Sequence, residues 1–274
     1  MAPAITHFLV GASLLLVLAV PIWLRYDIPR EYGLWLIPVG GLWGIVPDFH
    51  NIAPLFSTEL YAFHNSSWVD LFAFHYTLDR PFVRGQYLVS VFSSIALFSA
   101  SVAAYWVSFQ FHRAVRTGRW RLSQITNVGI ATLSATVYAT LAMTLVVGIQ
   151  ESFGVVSQVV GSDSRLLGAM LLGPIGLVGG VVLTPLFEWL PNRDDDSNIL
   201  TASGVGFVSG VVLWVLGVGL VLPMWLRAIG ESTVSIPLIH WGSVVVCVVF
   251  VSVFGGLYTL FREEFALKST VLST

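Results

Sequence analysis

Between Thr233 and Phe261 the chain carries no Asp, Glu, Lys or Arg. The stretch is long enough to cross a bilayer as a helix, for which about 20 apolar residues suffice. Comparable runs recur at 5–24, 32–47, 87–111, 123–149, 166–190 and 199–226, giving about seven candidate spans. Their hydrophobicity is even along each run rather than alternating, which argues against a β-barrel. Only 10% of the chain is charged and 56% is hydrophobic, where a soluble domain carries about 25% charged residues. These features predict an all-α, polytopic transmembrane helical bundle with the lipid bilayer as its first partner. We read residues 1–274 as one transmembrane domain, with polar chemistry concentrated in 1–86 and a helical bundle in 87–274. The second run is the shortest and holds Gly40, Gly41 and Gly44.

The remaining composition narrows the function classes. A net charge of −2 suggests no nucleic-acid partner. A single cysteine, Cys247, excludes an intramolecular disulfide and any Cys-rich zinc site. The N-terminal run has no Lys or Arg before its apolar core and no small-x-small cleavage site, so we read it as a retained helix. The glycines of 166–190 and 199–226, with Gly206 and Gly210 at small-xxx-small spacing, predict close helix packing.

The connectors carry the polar residues: "RYDIPRE", a long segment 48–86, "HRAVRTGRWR", 150–165, "PNRDDDSN" and "RAIGES". With seven spans, one face of the membrane collects Arg80, Arg84, Arg165 and Arg227. The other collects Arg25, Arg30, Arg113, Arg116, Arg119, Arg121, Arg193, Arg262 and Lys268. The positive-inside rule places the richer set in the cytoplasm. The expectation is therefore a multi-pass protein of the cell membrane, with the N-terminus and segment 48–86 on the extracytoplasmic face.

Four of the six histidines, His7, His50, His64 and His75, lie in the first 80 residues, together with Asp48, Asp70 and Asp79. If the first two spans form an antiparallel pair, His7 and the Asp48/His50 pair emerge on the same face, and 48–86 lies there too. Within that segment "SWVD" (Ser67 to Asp70) resembles a capping box. It predicts an interfacial helix running to about Arg80, where Pro81 closes it. On such a helix His75 and Asp79, four apart, share a face with Trp68 and Leu71. Asp79 would then sit at the unfavourable end of the helix dipole. Either Arg80 or Arg84, or a cation bound by His75 and Asp79, would offset that cost.

Imidazole and carboxylate ligands suit zinc and other first-row divalent metals. The candidate metal ligands are His7, Asp48, His50, His64, His75 and Asp79, with a general base among Asp48 and Asp79. No compact signature such as H-E-x-x-H is present. Of the other histidines, His112 opens a basic loop read as solvated near lipid headgroups, and His240 falls inside the last run.

"ITHFLVGASLLL", followed by "GIVPDFHNIAP" and "AFHNSSW", resembles the YdjM-like family of membrane-bound metal-dependent hydrolases. Members of that family carry a His before the first span, a P-D-x-D-H motif after the second, and an H-R-G-x-T-H-S motif. The resemblance matches His7 to the first element, Pro47 and Asp48 to the start of the second, and His64 with Ser66 to the end of the third. His50 and Asn51 stand where the second Asp and the His of P-D-x-D-H would be. The H-R-G part has no counterpart, and His75 as a substitute ligand is our own inference. The similarity covers roughly the first 80 residues.

Together these features predict a divalent metal, zinc by preference, at the membrane interface, and metal-assisted hydrolysis of a lipid-like or membrane-associated ester or phosphoester. The alternative is a non-catalytic scaffold or assembly partner whose His/Asp cluster only ties 48–86 to the bundle. A third reading, transport, rests on His240 alone.

Overall fold

The computed structural model of the protein describes residues 3–26, 28–116, 124–190, 197–228 and 235–266. Arg193 and the acidic run of "PNRDDDSN", residues 117–121 of the basic connector, 229–232 of "RAIGES" and the tail from 267 lie outside them. Every regular element among the described residues is helical, so the chain is an all-α polytopic helical bundle. Among the described residues six helices are long and apolar enough to cross a membrane: Ala4–Tyr26, Tyr87–Ala114, Ile125–Ile149, Arg165–Glu188, Asn198–Ala228 and Trp241–Phe265. The expected seventh, at 32–47, is corrected. It forms a helix of only 13 residues, Gly33–Ile45, about 20 Å long against a hydrocarbon core of about 30 Å. The chain forms two compact units, Met1–Trp120 and Arg121–Thr274.

In the first unit α1 (Ala4–Tyr26) packs against α2 (Gly33–Ile45) and α6 (Tyr87–Arg116). Three glycines make the α1–α2 pairing possible. A Cβ on Gly11 would strike the Gly40 carbonyl oxygen, one on Gly40 would lie 2.7 Å from the Gly11 carbonyl oxygen, and one on Gly44 would strike the His7 carbonyl oxygen. Contacts of Gly44 with His7, and of Gly40 with Gly11 and Leu15, fix the two helices as antiparallel. The glycines that make α2 a weak span are thus what lets its backbone lie directly on α1. Although short, α2 returns the chain to the level of His7.

Between α2 and α6 the chain is a series of short pieces: a 3-10 turn Val46–Asn51, α3 (Ser57–His64), a 3-10 turn Ser67–Leu71, α4 (His75–Leu78) and α5 (Pro81–Arg84). The single interfacial helix expected over 67–80 does not form. Ala73 and Phe74 adopt left-handed backbone angles, with φ of 56° and 60°, and break it. Asp70 does not cap a helix start. Its carboxylate instead accepts from the Thr77 amide and the Thr77 hydroxyl, both at 2.7 Å. Trp68 and Leu71 are exposed while His75 is fully buried, so the expected common face is absent.

The second unit is built on α12 (Trp241–Ala266), which packs on α7 (Gln124–Ile149) and on α10 (Ser197–Leu213). α8 (Phe153–Ser157) and α7 both pack on α9 (Arg165–Glu188), and α11 (Leu222–Ala228) follows a π-helical stretch, Trp214–Val221. Phe250, Phe254 and Tyr258 stack along α12 at i, i+4 spacing, with ring centroids 6.4 and 5.6 Å apart. Gly206 and Gly210 face the α12 backbone at Val251 and Val248, and Gly176 and Gly180 face Thr140 and Thr136. The helix-packing reading holds for these four glycines, whereas an added Cβ on Gly173 or Gly204 meets nothing within 4 Å. Glu188 accepts from the Tyr258 hydroxyl at 2.6 Å and from Arg262 Nε at 2.8 Å.

Two histidines differ from expectation. His112 lies within α6 and is buried rather than solvated. His240 precedes α12 instead of lying inside a span, and its Nδ1 accepts from the Ser243 amide at 3.2 Å. It closes the start of a helix as a cap does, which gives its ring a structural role.

Candidate metal centre

Six side chains from five pieces of the first unit converge. His7 comes from the first two turns of α1, and Asp48 and His50 from the 3-10 turn after α2. His64 closes α3, His75 opens α4, and Asp79 follows α4. His7, His64 and His75 are almost completely buried. The expected meeting of residues distant in sequence therefore occurs. Donor atoms of His7, Asp48 and His75 lie within 4.8 Å of one another, as do those of Asp48, His50 and His64, and those of His64, His75 and Asp79. This His/Asp group could hold a metal ion.

Distances at the centre are short. His64 Nε2 is 3.2 Å from His75 Nε2, 3.3 Å from Asp48 Oδ1 and 3.4 Å from Asp79 Oδ2. His75 Nε2 is 3.5 Å from Asp48 Oδ1 and 3.9 Å from Asp79 Oδ2. His7 Nε2 is 3.4 Å from the other oxygen of that carboxylate, Asp79 Oδ1. Asp79 thus faces three imidazoles, while Arg80 sits over the Tyr76 ring, 4.5 Å from its centroid. Asp48 Oδ1, His7 Nδ1 and His64 Nδ1 are buried without a hydrogen-bond partner. Buried polar atoms in native folds are normally satisfied, and a carboxylate oxygen between two imidazoles in this state is poised for a cation.

Backbone carbonyls orient two of the rings. His75 Nδ1 donates to the Gly44 carbonyl at 2.8 Å, and His50 Nδ1 donates to the Pro47 carbonyl at 3.0 Å. Each bond fixes the tautomer with Nε2 as the free lone pair, the arrangement in which imidazole ligates metals. The sequence carries no signal for these two bonds, because they depend on which carbonyls the end of α2 leaves unpaired.

Electrostatics favour loss of the proton at Asp48 and at His64, and retention of it at His75. Burial alone would raise the Asp48 carboxyl, but His75 beside it, with His7 and His64, outweighs burial and holds it below the ordinary carboxylate value. Burial, reinforced by His75 and His50, pushes His64 below the usual imidazole value. For His75 burial acts downward, but Asp48, the Gly44 carbonyl and Asp79 prevail and raise it. Asp70 is raised, chiefly by its burial.

Asp70 and Thr77 were not candidate ligands, and they contact each other rather than the donor atoms. Their two hydrogen bonds clamp the left-handed turn that presents His75. Thr77→Val removes the hydroxyl bond while keeping the shape. It should weaken metal binding about 10- to 100-fold, the range for groups that orient ligands, as read by competition with a chromogenic chelator. Unchanged affinity would show that the turn holds its own geometry.

Comparison with known proteins finds no matching family model, no matching curated protein and no matching solved structure.

Proposed function

We propose that the chain is a membrane-embedded, metal-dependent hydrolase acting on a lipid-like or membrane-associated ester or phosphoester. The observation that carries this reading is the inward convergence of His64 Nε2, His75 Nε2, Asp48 Oδ1 and Asp79 Oδ2, five of whose six mutual distances span 3.2 to 3.9 Å. Points about 3.4 Å apart at the corners of a tetrahedron lie about 2.1 Å from its centre, the length of zinc bonds to imidazole and carboxylate. Zinc is accordingly the proposed ion. The motif resemblance to the YdjM-like family, through His7, Pro47, Asp48 and His64, leads to the same chemistry.

When bound, such an ion lowers the pKa of water to about 7 and polarises an ester oxygen. Asp48 and Asp79 serve as ligands in this arrangement, so we assign the proton-transfer role to His50. Its Nδ1 is committed to Pro47, and its Nε2 is free to accept. In the reaction a water oxygen bonds to the acyl carbon or phosphorus, and the ester oxygen departs. His50 takes one proton from the water and returns it to the leaving oxygen, giving an acid and an alcohol.

The surroundings suit a lipid-like substrate. Phe49, Ile52, Leu55, Phe56, Tyr61, Phe63 and Trp68, all on the segment that carries the donors, expose large apolar surface. Aromatic side chains of this kind settle at the headgroup level. We further propose that this surface lies on the extracytoplasmic side of the cell membrane: α2, though short, returns the chain to the level of His7, so the Lys and Arg residues sort between the two faces as they would for seven crossings.

Two measurements test the reading. Purified protein in nanodiscs should hydrolyse fluorogenic short-chain esters or phosphoesters, and a chelator should abolish the activity, with zinc restoring it. Hydrolysis indifferent to the chelator, or absent across both ester classes, would reject it. His50→Gln should keep the metal and lose about 100-fold in kcat, within the range for general acid–base catalysis. An unaltered kcat would remove His50 from the proton path.

The scaffold reading draws on the same contacts, since His75 and His50 each also bond backbone. It predicts that a chelator leaves thermal stability untouched. The metal reading predicts a lower Tm on metal removal.

A further inference from the structure

Six metal-capable side chains are two more than one tetrahedral ion takes, and their arrangement is ordered. Asp79 presents Oδ2 to His64 and His75, and presents Oδ1 to His7 at 3.4 Å. The two oxygens of one carboxylate thus address two different sets of imidazoles. The rings of His7 and His75 stack nearly parallel, 21° apart, with centroids separated by 3.9 Å. Each has its Nε2 on Asp79, so two parallel rings deliver two lone pairs to neighbouring positions. That ring spacing equals the separation of about 3.5–4 Å found between the ions of two-metal hydrolytic sites. Asp48 also belongs to two groups of donors, with His7 and His75 and with His50 and His64, and its Oδ1 alone reaches both His64 and His75.

We propose that the nook holds two divalent cations, one on His64 and His75 and the second on His7, joined by Asp79 and Asp48, and that the substrate is therefore a phosphoester. The proposal rests on the metal-dependent reading above and deepens it. A carboxylic ester needs one Lewis acid for its single carbonyl oxygen. A phosphoester exposes several charged oxygens, and a pair of cations can hold both the entering and the leaving oxygen of an in-line displacement. This arrangement uses both oxygens of Asp79 and gives the fully buried His7 ring a ligand role.

The test counts metal on the whole chain in detergent, by plasma mass spectrometry after equilibration with zinc and removal of the excess. Two equivalents per chain, falling to one in His7→Gln, support the proposal. One equivalent in the unaltered protein overturns it and leaves the single-metal reading standing, whereas none overturns both. A second measurement does not depend on the variant folding. Electron paramagnetic resonance of the manganese-loaded, unaltered protein should show spin coupling between neighbouring ions, and an uncoupled signal overturns the proposal. Inorganic phosphate should then change the coupled spectrum, and a coupled spectrum that phosphate leaves untouched overturns the phosphoester assignment.

Discussion

A His75→Ala variant is expected to lose the proposed metal and, with it, the proposed hydrolytic activity. His75 Nε2 lies within 3.2 to 3.9 Å of His64, Asp48 and Asp79, so the substitution deletes one of the four converging donors. Losing a residue that merely orients a ligand costs about 10- to 100-fold in affinity, and losing the ligand itself should exceed that range. The α1–α2 pairing does not depend on this ring, so the variant should still fold and elute as the unaltered protein does. Metal analysis and kcat on the same preparation check the expectation. Retained metal with retained activity would place the ion elsewhere. Loss of folding without any metal in the parent protein would favour the scaffold reading.

Gly44→Ala should have an effect of comparable size while changing no ligand. Its Cβ would collide with the His7 carbonyl oxygen and lie 3.1 Å from the His7 carbonyl carbon. Both partners are helix backbone, which has no rotamer into which to escape. The helices must part, at a cost of about 1–3 kcal/mol or more for overpacking. Gly44 also supplies the carbonyl that orients His75. One methyl group therefore displaces His7 directly and His75 through its hydrogen bond. Lower thermal stability together with loss of metal is the expected result. Gly173→Ala in α9, where an added Cβ meets nothing within 4 Å, should leave both unchanged and serves as the control. If Gly44→Ala keeps its full complement of metal, the α1–α2 contact does not set the geometry of the site.

These two variants also mark the boundary of what could be read from sequence. The apolar runs identified the long helices because lipid rewards uninterrupted hydrophobicity. The choice of His7, Asp48, His50, His64, His75 and Asp79 followed from residue chemistry, and all six side chains meet. What stayed hidden was backbone geometry. Ala73 and Phe74 give no hint of left-handed angles, which glycine normally supplies, so "SWVD" read as a helix start. Asp70 then read as the acid of a capping box begun by Ser67, when it is the anchor for Thr77. Gly40 and Gly44 counted against a second span, although their use is to admit the α1 backbone. Hydropathy reports which segments prefer lipid, not which carbonyl an imidazole will find. His240 illustrates the same gap, since an apolar neighbourhood did not reveal that its ring closes a helix start.

In the proposed function, imidazole and carboxylate groups of the first unit bind metal together. X-ray absorption at the zinc edge on the loaded protein tests it most directly. A first shell of nitrogen and oxygen at about 2.0–2.2 Å, with the outer-shell scattering of at least two imidazole rings that disappears in His64→Ala/His75→Ala, is the predicted spectrum. A shell of oxygen alone without imidazole scattering, or one unaltered by the double substitution, would contradict it.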